Sequence, residues 1–340
     1  TVHVLSGAVK YGATVFEGIC AYLGDEGRLT VFRLPEHLLR LQDSMRIMRF
    51  EQDWSVSHLT EVVTDVIKAN ELHEDTHIRL SAYVLSEGFL DATAPIALGC
   101  LAVGRHDKSL SDKAARAQVS SWHRIEDSSM PPRIKCSANY QNGRLATIQA
   151  RTDGYDEAIL LTGSGKVAES AGACLMAVRD GVVITPTITG SILESVTRAT
   201  LIELCESELG VEVQQREIDR TELYLCEEVF LCGSGYEVMP IVNIDGYPIG
   251  QRESRGAHSP PKAPCGPVRR PGRRSARGCA HGVLEGCHAV RGLPREAIPA
   301  EVAVERGGVV DRGLQTQGAN DGRRAQVEGV VNGRLEDRLL

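Results

Sequence analysis

Lysine is scarce in the first 250 residues, six against sixteen arginines. One of the six, Lys135, stands where a basic segment, Pro131-Pro132-Arg133-Ile134, runs into a small polar one that ends in an aromatic, Ser137-Ala138-Asn139-Tyr140. An amine attacks a carbonyl only when neutral, and burial beside other cations is the usual way to make it so. A carboxylate, Glu169, follows in T-G-S-G-K-V-A-E-S-A-G-A-C-L-M-A-V, flanked by small residues that would let it approach a flat ligand closely. Thr187, Thr189, Gly190 and Ser191 gather before the helical stretch I-L-E-S-V-T-R-A-T-L-I-E-L. Amides and hydroxyls at such a helix start bind phosphate well. A further small-residue turn, C-G-S-G-Y (232–236), ends the apolar run Glu228–Leu231. Singly, these features have bland readings: a solvated lysine, an edge-strand glutamate, an ordinary N-cap.

Together they match the needs of pyridoxal phosphate, whose aldehyde takes an amine, whose pyridine nitrogen takes an anion, and whose phosphate takes amides and an arginine.

The elements that must position these groups follow from periodicity. Residues 1–110 alternate expected strands (28–34, 77–86, 96–103) with amphipathic helices (35–49, 56–70). Helix 35–49 sets Leu38, Leu41, Met45 and Met48 on one stripe and leaves Arg40 off it, free to point at a ligand. Residues 111–250 read as short strands, with Gly163 and Gly165 at a hairpin turn, a buried strand at Cys174–Val178, and one helix, 191–208, closed by Gly210. The expectation is a mixed α/β fold of two domains, 1–110 and 111–250, joined by the polar run Asp107–Asp112. The ligand would lie between them.

The chain resembles the branched-chain amino-acid aminotransferases, pyridoxal-phosphate enzymes of class IV (fold type IV). The matching segments are Y-G-A-T-V-F-E-G-I (11–19), V-F-R-L-P-E-H-L-L-R-L (31–41), H-I-R-L (77–80), K-C-S-A-N-Y (135–140), V-A-E-S-A-G-A-C-L (167–175), I-L-E-S-V-T-R (192–198), E-L-Y-L-C-E-E-V-F-L-C-G-S (222–234) and P-I-V-N-I-D-G (240–246). The resemblance implies that Lys135 holds the cofactor covalently and shuttles a proton, that Glu169 pairs with the pyridine nitrogen, and that Tyr140 bonds the phenolic oxygen. Arg40, Val196, Thr197 and Ser234 would hold the phosphate. Tyr11, Phe16, Gly18, Arg79, Ser234 and Gly235 would form the substrate pocket, completed in part by the partner subunit of a homodimer. Transamination of branched-chain amino acids (Leu, Ile, Val) with 2-oxoglutarate, giving branched 2-oxo acids and glutamate, is the implied function, with D-amino-acid transamination, aminodeoxychorismate lyase chemistry or an inactive fragment as alternatives. Departures from the family's pattern are His77, where a tyrosine is common, V-G-R-H (103–106), where an aromatic is common, Ala173 and Cys174, which replace a Glu-Asn pair of some relatives, and Gly235-Tyr236, where small residues such as alanine are common.

The resemblance begins at Thr1 and stops at Gly250, so the chain reads as lacking the family's opening strands and closing helix. Residues 251–340 hold no Phe, Tyr, Trp or Met, with fifteen arginines and fourteen glycines, a composition poor in core-forming residues. Net charge turns from −13 over 1–250 to +6 over 251–340. A shifted reading frame accounts for this better than an Arg/Gly-rich nucleic-acid arm, which would want aromatics for stacking, or a zinc site at Cys279, His281, Cys287 and His288, which lacks a C-x-x-C pair. No metal, nucleic-acid or membrane partner is expected. Ten cysteines without regular spacing suggest reduced thiols and a cytoplasmic protein, with Cys136 a packing residue.

Overall fold

The computed structural model describes residues 2–24, 27–105 and 114–250, together with the backbone of 302–304. The first sheet is antiparallel throughout. It contains β1 (Thr14–Leu23), β2 (Leu29–Val31), β3 (Thr76–Val84), β4 (Ile96–Gly104) and, at its edge, β14 (Val302–Val304), in the order β14-β2-β1-β3-β4. A short helix, α1 (Gly7–Tyr11), leads into β1, and α2 (Leu34–Ile47) and α3 (Val56–Ala69) pack on the sheet. Pro35 sits in the first turn of α2, where its missing N–H costs nothing, and Ser55 caps α3 by accepting from the His58 amide. Leu34, Leu38 and Leu41 of α2 are fully buried against Val15, Ile19 and Ala21 of β1, so trimming any one to alanine would cost about 2–5 kcal/mol.

Strand alternation then decides which side chains are left for the opposite face. Glu17 goes to the helix side with Val15 and Ile19. Phe16, Gly18 and Cys20 go to the other, beside His77 and Arg79, because β1 and β3 pair in the register Gly18↔Arg79 and Cys20↔His77.

The second sheet is formed by β5 (Ala115–His123), β6 (Glu157–Leu161), β7 (Val167–Ser170), β8 (Cys174–Arg179), β9 (Val182–Thr185), β10 (Val213–Gln215), β11 (Glu228–Gly233), β12 (Glu237–Ile244) and β13 (Tyr247–Pro248). Its order is β10-β9-β8-β11-β12-β5-β6-β7, and β7 returns to β8 through the pair Glu169↔Cys174. Six strands, β8-β11-β12-β5-β6-β7, thus close into a ring, with Glu169 at the closure. Helices α4 (Tyr140–Thr152), α5 (Val196–Ser207) and α6 (Arg220–Leu223) accompany it.

Two sequence expectations need correction. Helix 191–208 begins only at Val196, capped by Ser195; Thr187–Ser191 form an exposed or half-buried turn closed by a Gly190 to Thr187 hydrogen bond, with Ser191 at φ 60°. The periodicity also missed α4, whose buried face consists of Gly143, Ala146 and Ala150 and is too small-sided to stand out. The proposed linker, 107–112, and the cysteine–histidine group of the tail lie outside the described residues. Of residues 251–340 the structure describes only Val302–Val304, which pair with β2.

Candidate active site

A cavity of about 190 Å³ opens between the two sheets. From the first sheet come Phe16, Gly18, His77 and Arg79. The Arg79 guanidinium lies 3.8 Å above the Phe16 ring, an arrangement that orients its plane. No acidic side chain pairs with Arg79 among the described residues, which leaves a cation at the cavity mouth able to receive a carboxylate.

Lys135 enters on the segment between β5 and α4. Its backbone docks onto β1 and α2 of the first sheet's layer: the Phe16 amide donates to the Lys135 carbonyl at 2.9 Å, and the Lys135 amide donates to Ser44 Oγ at 3.2 Å. Asn139 braces the segment from within by donating to the Pro131 and Ile134 carbonyls. The Lys135 amine is 2.9 Å from the Tyr140 hydroxyl, and the Tyr140 and Phe16 rings meet at 5.1 Å. Cys136 is buried in the core, donating to the Gly12 carbonyl, and takes no part in the cavity.

Glu169 faces the same cavity from the ring closure. One oxygen is 2.8 Å from the Arg124 guanidinium; the other accepts from the Leu193 amide at 3.1 Å and is approached by the Cys174 thiol at 3.7 Å. Three donors fix this buried carboxylate in place.

At the remaining side stands Arg40, next to the start of α5. Glu17, fully buried, accepts from Arg40 Nε at 2.8 Å and Nη2 at 2.6 Å, and from His37 Nδ1 at 2.8 Å. Burial alone would raise the Glu17 pKa; the charge and hydrogen bonds of Arg40, with those of His37, outweigh it and hold the carboxyl at about 2. Burial, reinforced by Arg40 and Lys135, depresses His37 despite the pull of Glu17. Arg40 Nη1 donates to the Glu194 carbonyl at 2.8 Å. The Nε–Nη2 edge of Arg40 is therefore taken by Glu17, so the phosphate role that the resemblance implies would fall to its Nη1–Nη2 edge. Beside it, the first-turn amides of Val196 and Thr197 have no hydrogen-bond partner among the described residues, as the start of a twelve-residue helix requires. Ser234 and Gly235 close this end.

The comparisons with known proteins agree with this geometry. The family described as amino-transferase class IV matches residues 14–244. The chain belongs to the class IV aminotransferases. It is 40% identical over 258 residues to a probable branched-chain-amino-acid aminotransferase of Aquifex aeolicus, covering 74% of this chain and 82% of that one. With the Escherichia coli K12 branched-chain-amino-acid aminotransferase it shares 36% identity over 273 residues, 78% of this chain and 84% of that one. Among solved structures, the branched-chain aminotransferase of Thermoproteus uzoniensis with norvaline superposes with TM-score 0.77 at 32% identity, covering 90% of this chain and 94% of that one.

Class IV aminotransferases work with pyridoxal phosphate, and a related Thermobaculum terrenum structure is its PLP form. The donor set here fits that group: one amine beside a phenol, one fixed carboxylate, and an arginine with open helix amides for a dianion. Of the residues expected from the sequence, Phe16, Gly18, Arg40, Arg79, Lys135, Tyr140, Glu169, Val196, Thr197, Ser234 and Gly235 all line this cavity. Tyr11 does not; it ends α1, 40% exposed. The turn Thr187–Ser191 is also absent from the lining, since Ser195 rather than that turn starts the helix. Sequence reasoning missed Arg124, Glu17 and His37. Only the alternation of β1, which sends Glu17 toward α2, could have signalled one of them.

Proposed function

We propose that the chain transaminates branched-chain amino acids with 2-oxoglutarate, acting as a soluble cytoplasmic homodimer. The observation that carries this reading is the Lys135 amine beside the Tyr140 hydroxyl, with a fixed carboxylate and a phosphate-type cradle lining the same cavity. The substrate class is supported by the names of the relatives and by a wall that joins apolar Phe16 to cationic Arg79. Such a wall suits a branched side chain in one half-reaction and a carboxylate side chain in the other.

Pyridoxal phosphate, when bound, supplies a carbonyl for amines and an electron sink for a carbanion. Arg40, the Val196 and Thr197 amides and the Thr197 and Ser234 hydroxyls would hold its phosphate. Glu169, braced by Arg124 and Leu193, would hold a proton at the ring nitrogen. Lys135 would anchor the group through Nζ and, once displaced by substrate, move a proton from the substrate Cα. Tyr140 orients Nζ and would bond the ring oxygen. Tyr11, outside its own cavity, would reach the partner subunit's.

Purified protein supplied with pyridoxal phosphate should show a visible absorption band. Borohydride should bleach that band and label the peptide carrying Lys135, and leucine with 2-oxoglutarate should yield glutamate. Labelling of Lys10 or Lys166 instead would overturn the assignment, and turnover of D-alanine but not L-leucine would overturn the substrate class.

A further inference from the structure

Tyr236 is a cavity side chain that the reading above leaves unused. It follows Ser234-Gly235 in the turn between β11 and β12, and its ring lies over Gly172, where a Cβ would stand 3.5 Å from Cε2 and 3.6 Å from the hydroxyl. Its hydroxyl is 3.4 Å from Glu157 Oε2, the outer edge of hydrogen-bond reach. Glu157 opens β6 and is half-buried. Burial pushes its carboxyl up to about 7, with Asp156 adding to the rise and Tyr236 and Arg151 opposing it. Burial, Glu157 and Tyr140 together raise the Tyr236 phenol, leaving it protonated. The groups facing Glu157 are thus Tyr236 from the turn, Arg151 from α4 and Asp156 from its own segment. Arg116, on the neighbouring β5, is engaged with the Tyr155 ring and the Gly154 carbonyl.

The two protonation states of Glu157 make Tyr236 a different neighbour. A carboxylate only accepts, so ionised Glu157 takes the phenolic hydrogen and leaves the cavity the phenol's lone pairs, with a negative charge behind them. A carboxylic acid donates, so protonated Glu157 can bond the phenol oxygen and release the phenolic hydrogen to a ligand. We propose that Tyr236 and Glu157 form a proton-controlled hydrogen-bond donor that positions the substrate carboxylate when Glu157 is neutral and repels it when Glu157 is charged. Glu157 acts through Tyr236 and is a positioning residue. The proposal rests on the transaminase reading for its ligand but concerns residues that reading does not use. Because linkage is reciprocal, each unit by which a bound anion raises the Glu157 pKa corresponds to roughly a tenfold gain in affinity for that anion.

Calorimetric titration of the holoenzyme with 4-methylpentanoate, a branched carboxylate with no amino or oxo group to react, should be run from about pH 6 to about pH 8.5. Affinity should weaken several-fold as pH rises through about 7. Glu157→Gln, an uncharged donor throughout, should hold near the acid-side affinity across the range. Tyr236→Phe should lose the acid-side gain. An infrared carboxylic-acid band that disappears over the same interval, and is absent from Glu157→Gln, would identify the titrating group. The same pH dependence in Glu157→Gln, or no such band in the parent protein, overturns the proposal. The infrared reading of the parent protein needs no turnover. A protein that shows the band but never transaminates leucine would defeat the functional reading alone.

Discussion

Replacing Glu17 by glutamine removes the anion that Arg40 and His37 share on the hidden side of β1. The folded-state pKa of Glu17, about 2 against an ordinary 4.5, is lower by roughly two and a half units. At about 1.36 kcal/mol per unit, this corresponds to about 3 kcal/mol of stability at neutral pH. The cost of stranding one partner of a buried ion pair, about 3–5 kcal/mol, is of the same size. The sign follows from the depressed pKa: the contribution is complete above about 4.5, the unfolded value, and disappears as pH falls through about 2. Urea unfolding followed by circular dichroism should therefore find Glu17→Gln less stable by about 3 kcal/mol at pH 7, with the gap to the parent closing as the solution is acidified below about pH 4.5. Cofactor affinity should fall too, because Arg40 loses the paired, charge-assisted contact that orients it. A deficit below about 1 kcal/mol at neutral pH, or one that stays constant on acidification, would refute the account of Glu17 as the anchor of Arg40.

Glu169→Gln should still bind cofactor but slow removal of the substrate α-proton by orders of magnitude, seen as a slowed single-turnover spectral change with leucine; near-parental rates would remove Glu169 from its proposed role. Gly143→Ala should lower the melting temperature, because the new Cβ would stand 2.6 Å from the Ala171 carbonyl oxygen and α4 would have to move away, at a cost of about 1–3 kcal/mol. Gly235→Ala, which meets open space, is the control and should melt with the parent.

What could be read from the sequence was short-range. Lys135 and Tyr140 lie five residues apart, so their motif carries their juxtaposition; the hairpin around Gly163 and Gly165 likewise delivered Glu169 to the end of a short strand. Contacts that depend on two elements meeting were invisible. Glu17 and Arg40 are separated by 23 residues, and Arg124 and Glu169 by 45; nothing local distinguishes either arginine from a solvated one. The start of α5 was misplaced because T-I-T-G-S and Ser195 both offer capping side chains. A tertiary contact separates them: the Leu193 amide donates to Glu169, which holds residues just before Ser195 out of the helix.

That same contact shows why the cavity behaves as one unit. Glu169 belongs to the ring of the second sheet, yet one of its donors comes from the segment that sets where α5 begins, and so where the Val196 and Thr197 amides point. Lys135 is covalently followed by α4, which packs on the second sheet, yet its backbone is pinned to Phe16 of β1 and Ser44 of α2. Arg40 rides on α2 but reaches the Glu194 carbonyl beside α5. Lys135 and Arg40 are thus held by both sides of the cleft at once, while Glu169 is tied to the segment that starts α5. A change that loosens α2, such as loss of Glu17, displaces a neighbour of the phosphate cradle and unsettles Ser44, the support of the lysine segment, together. The distance between amine and phosphate site is consequently a property of how the two sheets pack, and not of any one loop.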